Sequence, residues 1–258
     1  MSDWNPNLYL KFANERTQPS IDLISRIVLA QPAQIVDLGC GPGNSIKALR
    51  QRWPIAHIVG VDNSPEMIAA ATKADPNGHW QLADLSAWQP DAPFDLVFSN
   101  ATLQWVKHHD TLMPRLLQMV AAGGALAVQM PDTSGLGMPV RHILAQVADL
   151  PQWRARVAIA KGTTHTERPA FYYDILRPHC RHLELWETEY NHVLDSAAAI
   201  VEWISATSLR PYLDALDTET HRQEFLAEMV QRVAEVYGTQ YDGKVLFPFR
   251  RVFFIAYR

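Results

Sequence analysis

Scarcity narrows this chain before any motif does. Its 258 residues include only two cysteines, Cys40 and Cys180, far apart in sequence. Two thiols so placed make neither a disulfide framework nor a metal-ligand spacing. A basic surplus is also missing: 23 Lys and Arg stand against 27 Asp and Glu, a formal net charge of −4. Proteins that live on nucleic-acid backbones take much of their affinity from Lys and Arg paired with phosphate, so nucleic acid is not the expected partner. No apolar run approaches the roughly 20 residues that span a bilayer. The opening MSDWNPNLYLKF lacks the basic start and apolar stretch of a signal peptide. A cytoplasmic protein is therefore expected, acting on a small molecule, with no membrane association and no obligate protein partner. Low-complexity tracts and internal repeats are absent as well.

Hydrophobic residues make up 48% of the chain and charged residues 19%, the balance of a globular domain with a filled core. From residue 20 to about 132, short apolar runs alternate with helical patterns. Strands are expected at QIVDL (34–38), HIVGVD (57–62), HWQLAD (79–84), FDLVFSN (94–100) and GALAVQM (124–130). Between them lie helical stretches at 21–30, 45–53, 65–73 and 112–120. The third opens on Ser64-Pro65-Glu66, an N-cap followed by proline at the first helical position and an acid that suits the helix dipole. Strand–helix units at this rhythm imply right-handed crossovers and a parallel sheet. The second half expects a helix at 171–179, a strand at 182–193, helices at 197–206 and 219–237, and a final strand at 245–258 holding Pro248 at an edge or bend. The expected architecture is one α/β domain: a doubly wound, mostly parallel sheet of seven strands, with a helical lid formed by insertions at about 134–168 and 194–242.

Ligands of such sheets bind beyond the carboxyl ends of the strands, near the reversal of strand order. There the chain has Val36-Asp37-Leu38-Gly39-Cys40-Gly41-Pro42-Gly43. A bare Gly-x-Gly would serve a dinucleotide equally well. An acid at the mouth of the loop repels phosphates, however, and attracts a ligand that carries an ammonium and a sulfonium. Asp62 ends the second strand, where a carboxylate can accept ribose hydroxyls, and Asp84 ends the third.

This stretch resembles motif I of the class I S-adenosylmethionine-dependent methyltransferases. The resemblance implies S-adenosylmethionine as cofactor, held by Asp37, Gly39, Gly41, Gly43, Asp62, Asn63, Asp84, Leu85 and Asn100. Asp84 and the backbone of Leu85 would face the adenine, and Asn100 the methionine end. Trp4, Tyr9, Phe12 and Arg16 look like a flap, with Arg16 on the methionine carboxylate. After the fourth strand the chain reads Ser99-Asn100-Ala101-Thr102, without the prolines of enzymes that methylate base amino groups. SNATLQW, QMPD, FYYDIL and the closing FPFRR, taken with the N-terminal segment, are similar to the trans-aconitate 2-methyltransferase family. That likeness implies a methyl ester formed on a carboxylate of trans-aconitate or a similar small polycarboxylate. The proposed acceptor contacts are Trp105, Tyr172, Tyr173, Trp203, Arg210 and Arg250, with Arg251 facing the other way from Arg250 in an alternating strand. No residue acts as acid or base, because a carboxylic acid is already ionised at neutral pH. The pair His108-His109 has no third ligand at a supporting spacing, and no metal is expected. A carboxyl methyltransferase acting on a malonyl carrier protein and a nicotinamide-dependent oxidoreductase are the alternative readings.

Overall fold

In the computed structural model the described residues are 13–133 and 138–258, the first four of them by backbone only. Seven strands form one sheet in the order β3-β2-β1-β4-β5-β7-β6. They are β1 (Gln34–Leu38), β2 (His57–Asp62), β3 (His79–Leu82), β4 (Phe94–Asn100), β5 (Val120–Pro131), β6 (His182–Leu194) and β7 (Val245–Tyr257). Strands β1 to β5 pair in parallel, and β7 runs antiparallel to β5. The doubly wound, mostly parallel sheet expected from the alternation is therefore present. Its order reverses at β1, which pairs with β2 on one side and β4 on the other. The central strands read as unbroken apolar runs because both faces are buried; Ile35, Val36, Leu38, Leu96, Val97 and Phe98 have no exposed surface.

The chain divides into two compact units. One comprises Asn14–Pro131, Thr166–Thr188 and Arg251–Arg258. It holds the strands β1 to β5 with the helices α1 (Ala13–Arg26), α2 (Asn44–Arg52), α3 (Pro65–Ala74) and α4 (His109–Gln118). Its core joins the inner faces of β1, β2, β4 and β5 to Leu112, Leu116, Tyr172, Leu176 and Phe254. The other unit includes Asp132–His165 and Glu189–Arg250. It contains α5 (Pro139–Ala148), α7 (Ala197–Ser205), α8 (Arg210–Asp214) and α9 (Glu219–Val236), while α6 (Pro169–Leu176) belongs to the first unit. Its separate core gathers Ile143, Val147, Trp153, Trp203, Phe225, Met229 and Phe247.

Several boundaries differ from the periodicity reading, each for a physical reason. The first helix is Ala13–Arg26 rather than 21–30. Arg52 donates to the Ile24 and Ile27 carbonyls and so closes the helix end, while the Tyr257 hydroxyl takes the Val28 N–H at 2.9 Å. Strand β3 stops at Leu82, before Asp84, whose side chain accepts the Ser86 N–H at 2.8 Å and turns the chain. Helix α4 starts at His109, behind a left-handed His108 (φ 59°), and β5 begins at Val120 rather than 124. The expected helix at 171–179 ends at Leu176 and tightens into a 3-10 turn at Arg177–His179, where Pro178 has no N–H to extend it. The third helix starts as its sequence signals: Ser64 accepts the Met67 N–H at 3.2 Å, with Pro65 at the first helical position.

Candidate active site

The glycine loop leaves β1 and enters α2. Gly39 has φ +75°, and a Cβ there would meet the Thr102 side chain at 2.1 Å. Thr102 stands so close because its hydroxyl donates to the Gly39 carbonyl at 3.1 Å, which ties the turn after β4 to the loop after β1. Gly41, at φ +52°, has nothing among the described residues within 4 Å of where its Cβ would be. At Gly43, the left-handed residue before α2, a Cβ would meet the Trp80 ring at 2.9 Å. The loop is thus packed on both flanks and open at its centre. Among the described residues no side chain stands where a Gly41 Cβ would point, so a ligand can approach the backbone from that side.

Two carboxylates converge on this loop. Asp62 is fully engaged with backbone: one oxygen accepts the Gly41 N–H and the other the Ser64 N–H, both at 2.9 Å. Each oxygen keeps a second lone pair. Asp37 is wholly buried, and among the described residues neither of its oxygens has a hydrogen-bond partner. Burial, reinforced by the nearby Asp62, pushes its carboxyl up from 3.8 to about 8. Orphaned buried carboxylates are rare because their desolvation is uncompensated. Burial and the same two carboxylates also push the Cys40 thiol up, so it is not a nucleophile at neutral pH.

The turn after β4 adds further unsatisfied polar atoms. Among the described residues the buried Asn100 Oδ1 has no partner, and neither has the Gln104 Oε1, although its amide nitrogen donates to the Ala101 carbonyl at 2.7 Å. Ala101 itself is left-handed (φ 56°), an unusual conformation for a residue with a Cβ. Buried acceptors without donors on the adjacent ends of β1 and β4 are suited to a cationic, donor-rich ligand. Asp84 is exposed and held below the ordinary carboxylate range by its hydrogen bonds to Ser86; Leu85 is buried beside it and Asn63 is exposed. A separate cavity of about 360 Å³, lined by Val28, Arg181, His182, Glu184 and Tyr257, includes none of these residues.

Two expected acceptor contacts are corrected. Tyr172 has no exposed surface; its hydroxyl lies 2.8 Å from His109 Nδ1 and accepts the Glu167 N–H at 3.0 Å, and its ring stacks on Phe254. It is a core residue, because a phenol that finds partners inside gains more there than at a surface. Trp203 is likewise core: it stacks on His192 at 4.5 Å and packs against Phe247 and Phe249. Trp105 and Tyr173 are both substantially exposed, at 41% and 48%. Arg210 opens the short helix α8, as Pro211 suggested, with its Nε 3.5 Å from Asp214. Arg250 is half-buried, whereas Arg251 is buried and donates to the Gln129 side chain at 3.4 Å. His109 spends its second nitrogen on the Leu103 carbonyl at 2.9 Å. Trp4, Tyr9 and Phe12, and the side chain of Arg16, lie outside the described residues. Thr102 was not singled out from sequence; its place in the turn between Asn100 and Gln104 was the available signal.

Comparison with known proteins agrees with this geometry. The profile of a methyltransferase-domain family matches residues 9–223. A curated relative from Azoarcus sp. (strain BH72), named trans-aconitate 2-methyltransferase, is 46% identical over the full length of both chains. One of the same name from Afipia carboxidovorans is also 46% identical over the full length of both. Among solved structures, the YcgJ protein from Bacillus subtilis matches the fold with a TM-score of 0.61 at 12% identity, covering 93% of this chain and 98% of its own. On its sequence and its fold, the chain belongs to the trans-aconitate 2-methyltransferase family of methyltransferase-domain proteins.

Proposed function

We propose that this chain methylates a carboxylate of trans-aconitate, using S-adenosylmethionine and releasing a methyl ester. The observation that carries the reading is full-length identity of 46% to relatives named for that reaction. The site residues fit the cofactor: an orphaned buried acid in Asp37, a loop open at Gly41, and Asp62 with lone pairs to spare. S-adenosylmethionine, when bound, supplies a methyl group on a positively charged sulfur.

Asp37 and the Asn100 carbonyl oxygen answer the ammonium end, Asp62 and Asn63 the ribose, and Asp84 and Leu85 the adenine. The acceptor is recognised through Arg210 and Arg250, both within the unit that includes Glu189–Arg250. An acceptor carboxyl with a pKa of about 4 is already anionic near neutral pH. No residue therefore needs to remove a proton, and what remains is to align an oxygen with the methyl carbon where water is excluded. The bound cofactor would supply the methyl in exchange for its bond to sulfur, the acceptor oxygen would take it, and the chain would move no proton. The test is mass spectrometry of the product formed from trans-aconitate and methyl-labelled S-adenosylmethionine. One added methyl that alkali removes, as from an ester, is expected; a label that survives alkali would place it on nitrogen or carbon and overturn the reading.

A further inference from the structure

Arg141 sits in the first turn of α5, within the unit that includes Asp132–His165 and Glu189–Arg250. A cation there opposes the helix dipole, which favours acids at an N-terminal turn, and α5 has none. The guanidinium is also largely withdrawn from water, and burial pushes its pKa down. Two unfavourable terms on one side chain call for compensation, yet little is present. Its side-chain hydrogen bonds go to the Thr133 carbonyl and the Thr164 hydroxyl, both at 3.3 Å. Charge-assisted bonds of arginine to carboxylates are shorter, about 2.7–2.9 Å, and often paired. Among the described residues no carboxylate lies within ion-pair distance of Arg141; Asp132 acts on it only through space. Burial pushes the Tyr212 phenol up, and the Arg141 and Lys161 charges act on it in the opposite direction.

A half-buried fork with long bonds to neutral oxygens, one of them the Thr164 hydroxyl, and with the Tyr212 phenol within range of its charge, is the arrangement a free carboxylate would complete. We infer that Arg141, with the Thr164 and Tyr212 hydroxyls, receives a carboxylate of the acceptor other than the one that is methylated. The inference rests on the reading of the acceptor as a small polycarboxylate. It adds the residue that makes a second carboxylate matter. Arg141 was outside the arginines chosen from sequence because nothing in RHILAQV marks one arginine of an amphipathic helix as inward-facing.

The experiment compares wild type with Arg141→Gln, Arg141→Lys and Tyr212→Phe. It measures kcat/KM for trans-aconitate and for an analogue lacking one carboxylate, beside calorimetric binding of trans-aconitate and of S-adenosylhomocysteine. Arg141→Gln should lose roughly 10- to 100-fold in kcat/KM on trans-aconitate, the worth of hydrogen bonds to a charged group. It should lose only a few-fold on the truncated acid, and S-adenosylhomocysteine binding should be unchanged. Arg141→Lys should recover little, since an ammonium cannot form the fork. Tyr212→Phe, which keeps the ring stacked near Phe225, should show a smaller loss with the same selectivity. Equal losses on both acids, or none on either in the two arginine variants, would overturn the inference while leaving the proposed reaction intact. Wild type that binds trans-aconitate through Arg141 without methylating it would overturn the reaction and keep the site. Wild type that does neither would overturn both.

Discussion

Asp37 is the residue whose energetics speak most directly of function. An acid whose folded pKa is raised binds more protons folded than unfolded, so stability falls as pH rises between the two values. For Asp37 that window runs from 3.8 to about 8. In the cofactor-free protein, Asp37→Asn should therefore be more stable than wild type near pH 7, by on the order of a few kcal/mol. The advantage should shrink toward pH 4. The same variant should bind S-adenosylmethionine far more weakly, because a neutral amide cannot answer an ammonium. Melting curves across pH with and without cofactor check both halves; a variant less stable than wild type at pH 7 would show that Asp37 is paired in solution. The acid and its spacing from the glycines were legible in sequence, because loop chemistry is local. Its complete enclosure was not, since that depends on the strands on either side of β1.

At the scale of elements, the buried group His109–Tyr172 joins the 3-10 turn Leu103–Trp105 to α6 through hydrogen bonds at 2.8 and 2.9 Å. Tyr172→Phe removes a hydroxyl that serves both His109 and the Glu167 N–H, leaving buried polar groups unpaired. A stability loss of about 1–3 kcal/mol is expected, visible as a lower denaturation midpoint, with the acceptor KM unchanged. A raised KM at unchanged stability would return Tyr172 to the acceptor site. Periodicity placed α6 and β6 correctly in kind, and the N-cap at Ser64 was readable because it is written in consecutive residues. What periodicity could not supply was orientation. Tyr172 and Tyr173 are neighbours in FYYDIL, yet one is fully buried and the other about half exposed. Likewise Trp203 reads as an aromatic near Arg210 but stacks inside its own core, on His192 of the preceding strand. The boundary of α1 shares this origin, since Arg52 closes that helix across 25 and 28 residues.

For the whole molecule, ligand linkage and ionic requirements follow from the same chemistry. S-adenosylhomocysteine at a hundred times its dissociation constant should stabilise the folded protein by about 2.7 kcal/mol, seen as a raised Tm that Asp62→Ala largely removes. A comparable shift with a nicotinamide dinucleotide instead would reassign the cofactor. Because an ionised carboxylate needs no Lewis acid to lose its proton, activity should persist after exhaustive chelation, and restoration only by added magnesium or zinc would contradict the mechanism. The fold class was legible throughout, since seven strands and their crossovers are patterned in the chain. The acceptor was legible only through resemblance, because carboxylate-binding arginines carry no motif. The most direct measurement is therefore a competition: one vessel, methyl-labelled S-adenosylmethionine, and equal concentrations of trans-aconitate, cis-aconitate, citrate, a dicarboxylate and a malonyl thioester. The product ratio reports the ratio of kcat/KM values for the competing acceptors. Predominance of a trans-aconitate monomethyl ester is the predicted result, and predominant labelling of the malonyl thioester, or no labelling of any acid, would contradict the account.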